Sequence, residues 1–171
     1  MRGHTVMRFD VYVDGSYRKR HGRGAAAGWV ILDSGGDIYL SGSRSFNAFH
    51  FIDSVATELL AVNTALQLLP VNSDATVYTD CQTVVERAGG LPGTEGGHKR
   101  AHGDILRELS VIMSAHNDIR FEYIEGHSNY PWNVAAHDLA FNKLPPFQPK
   151  AEKTCATIVS AGCMPALLLR L

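Results

Sequence analysis

The feature that most constrains this chain is a short strand that ends in a carboxylate. Residues 9–13 place Phe9, Val11 and Val13 at the spacing of two that is typical of a strand, and Asp14 follows them. Gly15-Ser16 is expected to end the strand. Asp14 would then lie at the carboxyl end of a largely buried strand, where open α/β sheets bind ligands. An aspartate before Gly-Ser is also a common turn former.

The same pattern occurs a second time in the chain. Residues 75–79 are rich in strand-forming side chains and end at Asp80. This recurrence favours a functional role for both carboxylates over an isolated turn.

Composition indicates one globular domain with a full core. The chain has 171 residues, of which 45% are hydrophobic and 19% charged. A net charge of -1 gives no overall attraction for polyanions, so a nucleic-acid contact would depend on local basic groups. Those groups lie at 18–23, which includes Arg18, Lys19 and Arg20, and at 98–100.

The cysteines and the termini point to a soluble intracellular protein. Cys81, Cys155 and Cys163 are odd in number and have no C-x-x-C spacing, which argues against a disulfide framework and a zinc site. We find no apolar signal-peptide core at the start and no run long enough to span a bilayer, so we expect no membrane contact. The expected location is cytoplasmic, with a nucleoid-associated or viral setting left open.

Periodicity and turn residues predict an α/β order of elements. Strands are expected at 25–32 and 37–45, forming an antiparallel meander with the first strand. A helix with Ser54 as its N-cap is expected to end before Pro70. The remaining expectations are a strand at 75–79, a helix at 82–88, a loop at 89–103, a helix around 105–113, a strand at 119–124 and a helix at 132–143.

The connections predict that the carboxylates meet. A strand, helix, strand sequence implies a parallel pair with a right-handed crossover, so the fourth strand can lie beside the first and bring Asp14 next to Asp80. Glu58, one turn inside its helix, is adjacent to the apolar stripe. It could join the two aspartates, or it could be a solvated acid that the helix dipole favours.

The motifs in this order resemble the type 1 ribonuclease H family. The matching segments cover roughly residues 5 to 143 and comprise 13–16, 58–61, 79–82 and 126–133, with Leu139-Ala140. The resemblance implies a five-stranded mixed sheet, three antiparallel strands then two parallel, flanked by helices. It also implies a catalytic domain at 1–146.

The family's activity is metal-dependent cleavage of the RNA strand of RNA/DNA hybrids, and the residues agree with it. Carboxylates about 4 Å apart would repel by roughly 4 kcal/mol per pair at an effective dielectric of about 20, a cost that cations remove. Hard oxygen ligands select Mg²⁺ or Mn²⁺, and two such ions suit in-line phosphoryl displacement.

The resemblance also assigns roles to individual residues. Asp14 would bridge the two ions, Glu58 and Asp80 would complete the site, and His127 would handle protons or help the product to leave. Contacts to the hybrid, including the 2′-hydroxyls that distinguish RNA from DNA, would come from Gly15, Ser16, Arg18, Lys19, Ser54, Gln82 and Asn133. The expected partner is an RNA/DNA hybrid, and the expected assembly is a monomer.

Two departures from the family pattern bear on activity. The loop at 89–103 is short and lacks a long basic handle, which predicts modest affinity for the hybrid. Aligned without a gap, the family's fourth carboxylate falls on His137, and Asp138 is one residue late, a rotation of about 100° on a helix. We therefore expect His137 to be the fourth ligand, with Asp138 as the fallback.

These departures keep other functions open. The alternatives are a nuclease of the same fold with another specificity, and a weakly active or inactive hybrid-binding domain. The segment 147–171 has no clear periodicity or motif, and it could be a strap on the domain, a partner-binding tail or a disordered segment.

Overall fold

The structure is a computed structural model that describes residues 6–18, 24–47, 53–89, 100–126 and 130–144. The predicted tail at 147–171 lies outside the described residues. Within them the elements are β1 (Arg8–Arg18), β2 (Gly24–Asp33), β3 (Ile38–Asn47), α1 (Ser54–Leu66), β4 (Asp74–Thr79), α2 (Gln82–Gly89), α3 (Arg100–Met113), β5 (Asp118–Tyr123) and α4 (Pro131–Lys143).

The strands form one five-stranded mixed sheet in the order β3-β2-β1-β4-β5. The pairs β1–β2 and β2–β3 are antiparallel, whereas β1–β4 and β4–β5 are parallel. The predicted fold class is confirmed, and so is the placement of the fourth strand beside the first.

The predicted end of β1 was wrong. Gly15 and Ser16 do not stop the strand, because β2 continues to pair with it as far as Arg18 opposite Gly24. The parallel pairing with β4 ends earlier, at Tyr12 opposite Tyr78. Asp14 therefore lies inside β1, just beyond the point at which β4 leaves it.

Two helix starts also differ from the prediction. Asp53, not Ser54, is the N-cap of α1, since its side chain accepts a hydrogen bond from the Ala56 amide and Ser54 is the first helical residue. The helix α3 begins at Arg100, so the last part of the predicted 89–103 loop is helical. The end of α1 also differs, because the helix stops at Leu66, three residues short of the predicted end directly before Pro70. The remaining boundaries move by only one or two residues, as strand and helix ends often do.

The core lies between the sheet and α1. Along β1, Phe9, Val11 and Val13 are buried, and α1 covers this face with Leu59, Val62 and Leu66 among its fully buried residues. The buried surface supplies the main stabilising free energy of the domain. The same packing sets the position along β1 at which α1 crosses the sheet.

Two glycines on neighbouring strands allow helices to approach the sheet from opposite sides. A Cβ on Gly15 would lie 2.6 Å from the Glu58 amide nitrogen in α1. A Cβ on Gly28 would overlap the backbone of Ala136 and Ala140 in α4. Gly28 pairs with Asp14, one residue before Gly15, and successive strand residues face opposite sides, so α1 and α4 pack on the two faces at the same level.

We predict that Gly28→Ala destabilises the protein by about 2–3 kcal/mol. The added Cβ would clash with the backbone of α4, which cannot move aside as the end of a flexible side chain can. For a chain of this length the melting temperature should fall by roughly 5–10 °C, measured by circular dichroism.

Gly103→Ala is the matched control for this prediction. Gly103 lies inside α3 and its Cβ would meet only the end of the Arg107 side chain at 3.8 Å, so alanine should stabilise the helix by up to about 1 kcal/mol. Equal melting temperatures for Gly28→Ala and the wild type would show that α4 does not press on β2.

Candidate active site

Three carboxylates from separate elements converge at one edge of the sheet. Asp14, Glu58 and Asp80 each offer an oxygen atom, and these atoms lie within 4.8 Å of one another. We call these residues the carboxylate cluster. Asp14 and Glu58 are only 5% and 8% exposed. The predicted meeting of the three side chains is therefore observed.

Asp14 and Asp80 lie just beyond the point at which β1 and β4 stop pairing. Asp14 and Asp80 each lie two residues beyond the last β1–β4 pair, at Tyr12 and Tyr78. The chain leaving β5 then passes over Asp80, because a Cβ on Gly126 would lie 2.9 Å from Asp80 Oδ2. Little room remains around Asp80 on that side.

Glu58 is held by the start of α1 and by β1. Its carboxylate accepts a hydrogen bond from the backbone N–H of Gly15. This is the same residue whose missing side chain lets the Glu58 backbone come close. One glycine therefore provides both the space and a donor for the third carboxylate.

The surroundings raise the pKa of Glu58 well above its usual value. Burial is the largest cause, and the charges of Asp14 and then Asp80 add to it, while the Gly15 hydrogen bond acts in the opposite direction. Among the described residues, Glu58 Oε2 has no hydrogen-bond partner. Three mutually repelling oxygen donors, two of them buried, fit a hard divalent cation, which would remove the repulsion.

His137 contacts the cluster from α4. Its Nδ1 lies 3.3 Å from Asp14 Oδ2, and its ring stacks on Phe141 with the ring centroids 6.2 Å apart. The side chain is about half exposed, at 48%. Asp138 is exposed and, within the described part of the chain, does not belong to the cluster. The helix thus turns His137 rather than its neighbour toward Asp14.

The structure describes most of the residues that were predicted to contact a hybrid. Gly15, Ser16 and Arg18 are half-buried along β1, and Ser54 is exposed at the start of α1. His127 and Lys19 lie outside the described residues.

The other two predicted contact residues differ in exposure. Gln82 is exposed at the start of α2, and its amide donates to Glu86. Asn133 is buried at 4% exposure, and its Oδ1 has no hydrogen-bond partner among the residues that the structure describes.

Sequence patterns did not identify one buried polar contact near the start of α1. His102, which the prediction placed in a loop, is 5% exposed and contacts Asp53 and Arg87. These residues are 49 and 15 positions away from it along the chain, so no local pattern could have identified the contact. The one related feature in the sequence is Asp53, a good capping residue directly before the predicted N-cap Ser54.

No helix in the described ranges is long and apolar enough to cross a bilayer.

Comparison with known proteins identifies a family. The family model described as RNase H matches residues 7–144. A protein named Ribonuclease H from Polynucleobacter asymbioticus is 29% identical over 151 residues, which cover 81% of this chain and 91% of that protein. One with the same name from Dinoroseobacter shibae is 32% identical over 107 residues, which cover 56% of this chain and 66% of that protein.

Solved structures share the fold. RNase H1 from Halobacterium salinarum superposes with a TM-score of 0.65 at 20% identity, covering 79% of this chain and 96% of that one. LC11-RNase H1, solved in complex with an RNA/DNA hybrid, gives a TM-score of 0.62 at 18% identity, covering 78% of this chain and 97% of that one.

We predict that Glu58→Gln stabilises the metal-free protein at neutral pH. The variant keeps an acceptor for Gly15 and removes a charge whose burial costs free energy, so we expect a gain on the order of 1–3 kcal/mol. A raised folded-state pKa means that ionised Glu58 destabilises the fold above that pKa and has no such effect below the unfolded pKa of about 4.3. The gain should therefore be largest near pH 7–8 and vanish toward pH 4.

Thermal melts in chelator across this pH range measure the effect. Added Mn²⁺ should raise the melting temperature of the wild type more than that of Glu58→Gln. A variant less stable than the wild type at pH 7 in chelator would contradict the prediction.

Proposed function

The chain belongs to the ribonuclease H family of phosphodiester hydrolases, and on this basis we propose that it cleaves the RNA strand of RNA/DNA hybrids. The observation that carries the proposal is the buried carboxylate cluster, formed by three elements in the family's order. Such an arrangement of like charges is costly for a purely structural site. The hybrid seen with LC11-RNase H1, which has the same fold, supports the substrate class.

We further propose that two Mg²⁺ or Mn²⁺ ions serve as cofactors, which Asp14, Glu58 and Asp80 would hold with His137 as the fourth ligand. Divalent ions bound there would activate water and neutralise charge on the leaving oxygen of the scissile phosphate. The family's general dependence on divalent metal agrees with the carboxylate cluster.

The protein's own contribution is rigid placement and a site partly closed to water. Asp14 is held by pairing with Gly28 in β2 and by its contact with His137 in α4, and Glu58 is held by the Gly15 amide. Charged oxygens held in this way need little reorganisation during the reaction. We propose that His127 exchanges protons with the reacting groups or helps the product to leave.

Contacts to the hybrid would flank the cluster. We assign them to Gly15, Ser16 and Gln82 in the minor groove and to Arg18 and Lys19 at phosphates, with Ser54 and Asn133 as further positions. Recognition of 2′-hydroxyls there would select the RNA strand.

A weakly active hybrid-binding domain is the second candidate. The contact of His137 with Asp14 favours it, because a neutral imidazole replaces the negative charge expected at the fourth position. Reduced attraction for a hard cation would lower the rate without removing affinity for the hybrid.

The remaining proposals concern the whole chain. We propose that residues 1–146 form the catalytic domain, that the chain acts as a monomer, and that the tail at 147–171 binds a partner. An intracellular, cytoplasmic setting is consistent with the substrate.

We predict that Asp14→Asn abolishes cleavage of a labelled RNA/DNA hybrid while the protein remains folded, because it removes a charge from the centre of the cluster. The loss should exceed about a thousandfold, as for a group essential to the chemistry. Gel assays with Mg²⁺, Mn²⁺ or chelator, on the hybrid and on double-stranded RNA and DNA, measure rate and specificity.

Asp10→Asn is the matched control, since Asp10 lies on the same strand and outside the cluster. It should retain at least half of the wild-type rate. An active Asp14→Asn protein, or cleavage that persists in chelator, would refute the metal-dependent mechanism.

We also predict that Mn²⁺ supports faster cleavage than Mg²⁺ by about tenfold, because imidazole prefers transition ions and His137 lies beside Asp14. His137→Asp should raise the rate in Mg²⁺ and bring the two rates close together. Rates at saturating concentrations of each metal test this.

Asp138→Asn serves as the control and should leave the metal preference unchanged. If Asp138→Asn were inactive and His137→Ala fully active, the fourth ligand would be Asp138, and the ungapped alignment would be off by one residue.

A further inference from the structure

A buried histidine joins three helices beside the start of α1. His102 is the third residue of α3 and is 5% exposed. Its Nε2 lies 2.9 Å from Asp53 Oδ1, and its Nδ1 lies 2.9 Å from an Arg87 guanidinium nitrogen in α2. Nothing in the mechanism proposed above uses this histidine.

The partners determine the protonation of His102. A guanidinium group can only donate hydrogen bonds, so Nδ1 must be the acceptor and carry no proton. Nε2 therefore carries the proton and donates it to the Asp53 carboxylate. In this arrangement His102 accepts from Arg87 on one side and donates to Asp53 on the other.

Asp53 connects this ring to the beginning of α1. Its Oδ1 accepts from the Ala56 amide at 3.0 Å, and its backbone oxygen accepts from the amide and the hydroxyl of Thr57 at 3.0 and 2.9 Å. The next residue is Glu58, whose backbone rests against Gly15. The orientation of the first turn of α1 therefore affects the position of Glu58, one member of the carboxylate cluster.

Other contacts already hold α3 against α1. Asn63 donates to the backbone oxygen of Ile105 at 3.2 Å, and Gln67 donates to Glu108 at 3.1 Å. Leu106 and Leu109 add buried apolar surface. The histidine is not needed to dock the helix, and its hydrogen bonds act at the end of α1 that carries Glu58.

We propose that His102 is a positioning residue, which fixes the Asp53 cap and through it the place of Glu58 in the carboxylate cluster. The inference depends on the proposed role of Glu58 as a metal ligand. Among the described residues, His102 does not belong to the carboxylate cluster, and it would act on the cluster through Asp53 and α1.

His102→Leu tests this inference by removing both hydrogen bonds while keeping an apolar side chain. We expect the Mn²⁺ concentration that gives half-maximal thermal stabilisation to rise about tenfold, in the range found for groups that support metal ligands. The kcat for hybrid cleavage should fall by a similar factor, and KM should stay within about twofold.

Two variants separate positioning from general stability. His102→Gln keeps a donor for Asp53 and an acceptor for Arg87, so it should restore at least half of the wild-type kcat. Leu106→Ala removes a buried side chain one turn further along the same face of α3. It should lower the melting temperature without changing the Mn²⁺ midpoint.

Hydrogen exchange gives a readout independent of metal and activity. The amides of Ala56 and Thr57 should exchange faster in His102→Leu and remain as protected in Leu106→Ala as in the wild type. Unchanged exchange and an unchanged Mn²⁺ midpoint in His102→Leu would overturn the positioning role, and so would equal shifts in Leu106→Ala.

The two proposals can fail separately. A wild type that neither cleaves the hybrid nor responds to Mn²⁺ would refute the proposed function and the catalytic part of this inference. The exchange data would then still decide whether His102 holds the cap.

Discussion

Repulsion among three neighbouring carboxylates, two of them buried, is the constraint on which the rest of this structure depends. Asp14, Glu58 and Asp80 lie within 4.8 Å of one another, and isolated side chains would move apart or take up protons. The fold prevents separation by attaching each to a different rigid element. The hydrophobic contacts between α1 and the sheet provide the opposing free energy, so stability elsewhere maintains an unfavourable arrangement at the site.

The packing of helices on the sheet follows from the same requirement. Gly15 and Gly28 lie on neighbouring strands, and each admits a helix backbone where a side chain would prevent it. Because α1 and α4 cross at this level on opposite faces, Glu58 and His137 reach the same aspartate from two directions. Small residues therefore set the distance between charged ones.

Much of the fold and the cluster could be predicted from local patterns. The alternation at Phe9, Val11 and Val13 identified β1, and the crossover rule placed Asp80 beside Asp14. The end of β1 could not be read from Gly15-Ser16, because pairing with β2 decides it. The cap was one residue off, since Asp53 and Ser54 are both good caps and a distant histidine favours the first. Contacts between residues far apart in sequence leave no periodic signal.

The divergence of β1 from β4 after Tyr12 has a wider consequence. Up to Tyr12 and Tyr78, β1 and β4 each have a strand neighbour on both sides, and packing constrains their side chains. Beyond Tyr12, β2 is the one described strand that still pairs with β1, and the Gly15 amide donates a hydrogen bond to the Glu58 side chain. Beyond Tyr12 a substitution can therefore affect the chemistry of the cluster as well as packing, since Gly15 and Gly28 still admit helices at that level.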